Sequence, residues 1–330
     1  MAINPAALYP GGTVPPNASY PYGSAKDVTA PGTGDGTPLR AAWVNDWFGF
    51  QQAVMGAAGV TPSGSPDTAQ LSQIFNAITS IIRNASSGVV GLSRNAKINI
   101  TAASSTAIFT ADEVVVETAL GGQQYRRPSI NKTINIATTG VNGMDTGSPP
   151  VTGFLAVYAI YNPTTNTDGL LGVNATSSVV TEVYSGANMP SGYTASALVA
   201  ILPVATSQFA PSSLIGRNVY IPSTSLLSGS SAPGAVTPLV ITAIPLNAVS
   251  VDLSATVGIV SNDTTGVLTL AASSGLVAGK LLTIGAAGTG GTISSTSNLS
   301  LAILSNARTL YYRIQSATLS YGVSATGYSF

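Results

Sequence analysis

Apolar residues change their spacing near residue 88, from helical to strand-like. Trp43, Trp47, Phe50 and Val54 fall at i, i+4, i+7 and i+11, with Val44, Phe48 and Met55 on the adjoining track, which makes one wide apolar helix face. Thr37 followed by Pro38 suits an N-cap and first helical position, and Gly56 and Gly59 suit the stop. A turn, VTPSGSP, comes next, and Ser65, Pro66 and Asp67 are placed to open a second helix with Leu71, Ile74, Ile78 and Ile81 as its stripe and Phe75 and Ile82 beside it. Two readings of the stripes stand. One is a helical hairpin packing on itself; the other is a short multi-chain bundle, in which Ile-rich core positions favour more than two strands. The second makes Trp43, Trp47, Phe50, Val54, Leu71, Ile74, Ile78 and Ile81 an oligomer interface.

After Gly88 the pattern is β-type to the end. Ile98 and Ile100 alternate, as do Ile134 and Ile136, while Val114 to Val116, Phe154 to Tyr161 and Leu198 to Leu202 read as buried strands. Asn142-Gly143, Asn162-Pro163, Asp168-Gly169 and Ser191-Gly192 punctuate them as turns. A second block from Arg217 contains NVYIP, PLVITAIPL, AVSVDLSATVGIV, GVLTLAA, KLLTIGA, LSLAIL, TLYYRI and ATLSYGV, with the Ser-rich stretch from Ser225 to Ala235 read as a loop. The first 37 residues are broken by prolines and glycines and show no sustained apolar period. The expected architecture is mainly β with a short N-terminal helical region: an extended arm over 1–37, two helices over 38–88, and two β-sandwich-like domains over 89–215 and 216–330.

Charge is scarce: 12 basic and 12 acidic residues in 330, against roughly a quarter charged in ordinary soluble domains. The longest apolar runs fall well short of the roughly 20 residues of a spanning helix, so no membrane insertion is expected. The start also lacks the basic and apolar regions of a secretory signal, which points to synthesis in a cytoplasm. Low charge with high apolar content then implies surface buried between chains. The basic residues are scattered, so nucleic-acid binding by phosphate neutralisation is not expected. There is no cysteine and no histidine, which removes thiolate chemistry, the commonest general base and the commonest transition-metal ligand. The expectation is a non-enzymatic protein with no cofactor.

Few groups could carry chemistry. Asp112, Glu113 and Glu117 cluster in TADEVVVET, but strand spacing sets Glu113 and Glu117 roughly 13 Å apart, too far for either glycosidase geometry. Asp145 could ligate a cation or bond local backbone. Arg126 and Arg127 could meet an acidic glycan or pair with Asp112, Glu113 or Glu117. GLVAGKLL lacks the spacing and the hydroxyl of a phosphate loop. The C-terminal segment concentrates Tyr311, Tyr312, Tyr321, Tyr328 and Phe330, which either contact a receptor or serve as core and cross-strand residues.

Two stretches carry a resemblance. YPYGSAKDVTAPGTGDGTPLRAAWVNDWFGFQQAVMGAAGVTPSGSPDTAQLSQIFNAI, from Tyr20 to Ile78, resembles the N-terminal module of tailed-bacteriophage tail-fibre and receptor-binding proteins. INIATTGVNGMDTGSPPVTGFLAVYAIYNPTTNTDGLLG with MPSGYTASALVAILP is similar to a β-domain of the same families. Together they cover a little over half of the chain. The resemblance implies a virion structural protein located in the phage tail. It implies a homotrimer, elongated, held to other tail or baseplate proteins through residues 1–37 and meeting a bacterial surface receptor, glycan or protein, with its distal domains. A baseplate or fibre-base connector is the alternative, and a polysaccharide depolymerase a further one.

Overall fold

A computed structural model describes residues 4–22, 24–38, 40–69, 71–85, 88–230, 234–260, 265–277, 279–285, 292–315 and 319–330. They form two compact units, Met1–Ser86 and Ser87–Phe330.

The N-terminal unit opens with a one-turn helix, α1 (Pro5–Leu8). Pro5 presets its φ, and the Asn4 side chain accepts from the Ala7 N–H. Thr13–Val14 then pairs antiparallel with Ser24–Ala25. The extended arm expected over 1–37 is therefore corrected to a small folded segment, and hydrogen bonding explains how so apolar-poor a stretch holds together. The Thr37 hydroxyl accepts from the Lys26 N–H at 2.8 Å and donates to the Gly12 carbonyl, while the Thr37 N–H donates to the Lys26 carbonyl. Asp35 accepts from the Thr29 N–H, the Thr33 hydroxyl and the Lys26 ammonium, and the first two hold its carboxyl below the usual range. A Cβ at Gly36 would stand 2.8 Å from the Val28 nitrogen, so only glycine allows that approach. Tyr9 is buried, stacked on Trp43 with centroids 6.1 Å apart, and the Arg40 guanidinium lies over its ring.

Helix α2 (Ala41–Ala57) starts at Arg40 without a side-chain cap, because Thr37, the expected N-cap, is engaged with Lys26 and Gly12. Its stop is as expected at Gly59, which has φ +67°, with Gly59 N–H on the Gly56 carbonyl and Val60 N–H on the Met55 carbonyl, a Schellman closure. Helix α3 (Gln73–Ala85) begins later than expected. Asp67 does cap it, but across an intervening turn, accepting from the Gln73 and Ile74 N–H groups at 2.9 and 3.1 Å and from the Ser72 hydroxyl. Leu71 consequently lies before the helix and not on its stripe.

The C-terminal unit is mainly β, in two sheets around one apolar cluster that runs from Val90 to Phe330. The 14-stranded sheet has the order Thr292–Ala302, Ser250–Val260, Leu319–Ser329, Asn218–Gly229, Ser212–Ile215, Lys97–Ile100, Thr106–Glu117, Ala195–Ala205, Thr152–Asn162, Thr167–Asn174, Gly143–Met144, with three short or flanking strands beside it. The smaller sheet orders Thr237–Val240, Thr309–Gln315, Thr265–Ala271 and Lys280–Gly285. Phe154–Tyr161 and Leu198–Leu202 are buried on both faces, as their unbroken apolar runs require, and Ile98, Ile100, Ile134 and Ile136 all point inward.

Three expectations are corrected here. Ser212–Ile215 and Asn218–Gly229 pair across a turn at Gly216, so the division expected near 215 is not a break between compact units. Ser225 to Gly229 belongs to a strand paired with Leu319–Ser329, while 231–233 of the expected Ser-rich loop lie outside the described residues. Asp168-Gly169 is in a strand, not a turn. The turn is Pro163 to Asn166, whose backbone the Asn162 side chain holds. Gly169 lies in close packing, where a Cβ would meet Val141 at 2.8 Å.

Candidate functional site

The helical hairpin of the N-terminal unit presents the largest concentration of unburied aromatic surface. The Schellman turn after α2 and the Asp67 cap before α3 fold the two helices back on each other, and Met55 and Ala77 are their buried positions. Between them lies a cleft of about 370 Å³ lined by Phe48, Met55, Pro66, Gln73 and Ile74 among others. Its rim is fixed by Gln73, whose side chain accepts from the Ser63 N–H and donates to the Thr61 carbonyl.

The expected interface residues divide. Trp47 (59% exposed) and Phe50 are open to solvent and form a tilted ring pair with centroids 5.8 Å apart. Phe48, Phe75 and Ile82 from the neighbouring tracks are equally open. Val54, Ile74, Ile78 and Ile81 are half-buried. Trp43 is half-buried beneath Tyr9, so much of its ring serves the unit's own packing. Leu71, 76% exposed, sits in the turn beside the helical stripe.

In the C-terminal unit the carboxylates of the acidic cluster are separately engaged. Asp112 accepts from the Asn95 amide and Glu113 pairs with Arg126 at 2.7 Å. Glu117 is buried at the hairpin end, accepting from the Gln124 amide at 2.6 Å and the Gly121 N–H. Arg126 thus takes one of its expected partners. Arg127 takes none of them and instead forks onto Asp168 at 2.7 and 3.1 Å, with its guanidinium 3.9 Å above the Tyr161 ring. Asp145 bonds local backbone at Thr146 and accepts from the Tyr184 hydroxyl.

The five C-terminal aromatics also divide. Tyr328 is fully buried, donates to the Ile201 carbonyl at 2.6 Å and meets Phe154 edge to face; its burial pushes the phenol well up. Phe330 is buried too, under the Arg217 guanidinium. Receptor contact by Tyr328 and Phe330 is therefore corrected to a core role. Tyr312 and Tyr321 are half-buried against the same core, and Tyr311 is half-buried on the opposite face of its strand.

One organising residue has no periodic signal in the sequence. Arg217 donates to Glu182 through both terminal nitrogens at 2.9 and 2.7 Å, and to the carbonyls of Leu198 and Phe330. It ties together segments more than a hundred residues apart, which spacing along the chain does not reveal.

No protein-family description matches this chain, and no curated protein matches it either.

Proposed function

We propose that the chain is a structural, non-enzymatic tail-fibre protein of a bacteriophage. On this reading it is an elongated homotrimer assembled through the α2–α3 hairpin, fixed to other tail proteins by residues 1–37, and turned toward a bacterial surface receptor by its β-unit. Its place is the virion tail, assembled in the host cytoplasm. The observation that carries the reading is the run of solvent-facing Trp47, Phe48, Phe50, Phe75 and Ile82 on a short hairpin, apolar surface of the kind that soluble chains cover with a partner. The separate engagement of Asp112, Glu113 and Glu117 speaks against depolymerisation. Three chains per fibre give recognition by avidity, without a tight single site.

The connector reading gains from one observation. With Tyr328 and Phe330 in the core, the terminal segment has less aromatic surface to offer a receptor. Adsorption competition separates the two. Purified protein added ahead of phage is expected to bind host cells and lower adsorption in a dose-dependent way. Failure to do so, together with binding to isolated tail proteins, makes it a connector.

A further inference from the structure

Helix α2 carries a ridge and a wall of a cleft on neighbouring faces. Trp47 and Phe50, three residues apart, stand one above the other as the tilted ring pair, 59% and 50% exposed, and make a convex apolar ridge. Phe48 lies about 100° further round the helix. With Met55 it forms one wall of the 370 Å³ cleft, and Pro66 and Ile74 belong to the other. One chain therefore offers both a projecting aromatic pair and an apolar recess.

The recess is held open before anything enters it. Gln73 fixes its rim through Ser63 and Thr61, and the Schellman turn and the Asp67 cap set the angle between the helices. An occupant therefore meets little ordering cost. Asp67 is the one charged residue among those lining it, and its oxygens already accept from the Ser72 hydroxyl and the Gln73 and Ile74 N–H groups. Covering the cleft with apolar rings consequently strands no unpaired charge.

We infer that the Trp47–Phe50 ridge of a second copy of this chain fills the cleft. A contact about a three-fold axis joins two different patches, because a patch that meets itself belongs to a two-fold axis. The ridge and the cleft are two such patches on one helix. Each chain gives one ridge and receives one, so three chains close the ring with no ridge or cleft left over. Aromatic anchors seated in preformed pockets carry most of the energy of such contacts, and each ring covers roughly 150–250 Å². Insertion of this kind rests on the trimeric reading and names which surface of one chain meets which surface of the next.

The chain has no cysteine, so introduced thiols report contacts between chains. Full-length Phe50→Cys and Ser65→Cys chains, the second altered at an exposed position lining the cleft, are co-expressed and oxidised. A covalent dimer of one chain of each kind is expected, absent when either variant is oxidised alone; Trp47 remains to anchor the contact. Phe50→Cys chains that crosslink to one another would place the rings together on the axis and overturn the insertion, as would trimers that give no mixed dimer. A second pair of variants needs no thiol. Trp47→Glu with Phe50→Glu removes the ridge, and Phe48→Glu removes a cleft wall at a ring that is 50% exposed, with circular dichroism reporting that the helices persist. Each is expected to run as a single chain and the mixture as two chains, because one intact ridge and one intact cleft remain. A mixture that stays single overturns the insertion and leaves the hairpin as the assembly surface. A Phe48→Glu chain that stays trimeric removes the cleft as the seat. A wild-type chain that runs singly overturns the trimeric reading and the insertion together.

Discussion

The two units dispose of apolar surface in opposite ways. Among the exposed large aromatic side chains of the described residues, Tyr20, Tyr22, Trp47, Phe48, Phe50 and Phe75 belong to the N-terminal unit, and only Tyr220 to the far larger C-terminal one. The β-unit encloses Phe109, Tyr158, Phe209 and Tyr328 completely or nearly so, and burial of the Tyr158 and Tyr328 hydroxyls pushes both phenols up. The N-terminal unit buries little beyond Pro5, Tyr9, Thr13, Met55 and Ala77. A segment of that size with so small a core has little hydrophobic stabilisation of its own. On the proposed reading the lesson is a division of labour: one unit is finished as a single chain, and the other would gain its remaining burial by association.

The largest effect should come from breaking association. Replacing both Trp47 and Phe50 by Glu puts charge where apolar anchors would be buried, at a cost of about 2–4 kcal/mol per anchor. Light scattering is expected to show the mass falling from three chains to one of 33.0 kDa, with the β-unit's circular dichroism unchanged. An unchanged mass would remove the hairpin as the assembly surface, and with it the contrast between the units.

The converse substitution belongs to the β-unit. Tyr328→Ala should cost about 3–5 kcal/mol of that unit's stability, the usual penalty for truncating a buried aromatic. Tyr328→Phe should cost about 1–2 kcal/mol, for the bond to the Ile201 carbonyl. Denaturant unfolding measures both, and the oligomeric mass should survive in both. If Tyr328→Ala left stability intact and abolished adsorption, Tyr328 would belong to a receptor surface after all.

What the sequence disclosed follows from how local each signal is. Continuous apolar runs placed Phe154–Tyr161 and Leu198–Leu202, and helical spacing placed Trp47 and Phe50 on one side of α2. Tyr328 was hidden by a shift of register: Ala325 pairs with Leu253 but Gly327 with Asp252, so the chain bulges at Thr326. That bulge reverses the alternation that runs through Val323 and Ala325 and turns Tyr328 inward. Tyr9 on Trp43 and Arg217 on Glu182 are contacts between distant segments, invisible to any period. Thr269 shows the same limit. Its outward phase is readable from Leu268 and Leu270, but its lack of a partner exists only once the turn closes over it.

The smallest effect tests how the hairpin is held before it meets a partner. Asp67 has its carboxyl lowered by the Ser72 hydroxyl first and then by the Gln73 and Ile74 N–H groups, all of which need the ionised form as acceptor. A carboxyl lowered in the folded state contributes stability that is complete above the ordinary carboxylate range and is lost as pH falls through the folded value. Hydrogen exchange at the Gln73 and Ile74 amides, corrected for the intrinsic pH dependence, is therefore expected to speed up about two- to fivefold below about pH 4, and by a similar factor at neutral pH in Asp67→Asn. The strands of the β-unit serve as the internal reference. Because the cap orders the turn that sets α3 against α2, its loss should also weaken association slightly, whereas an exchange rate indifferent to both pH and Asp67→Asn would mean that packing between the helices holds the hairpin without it.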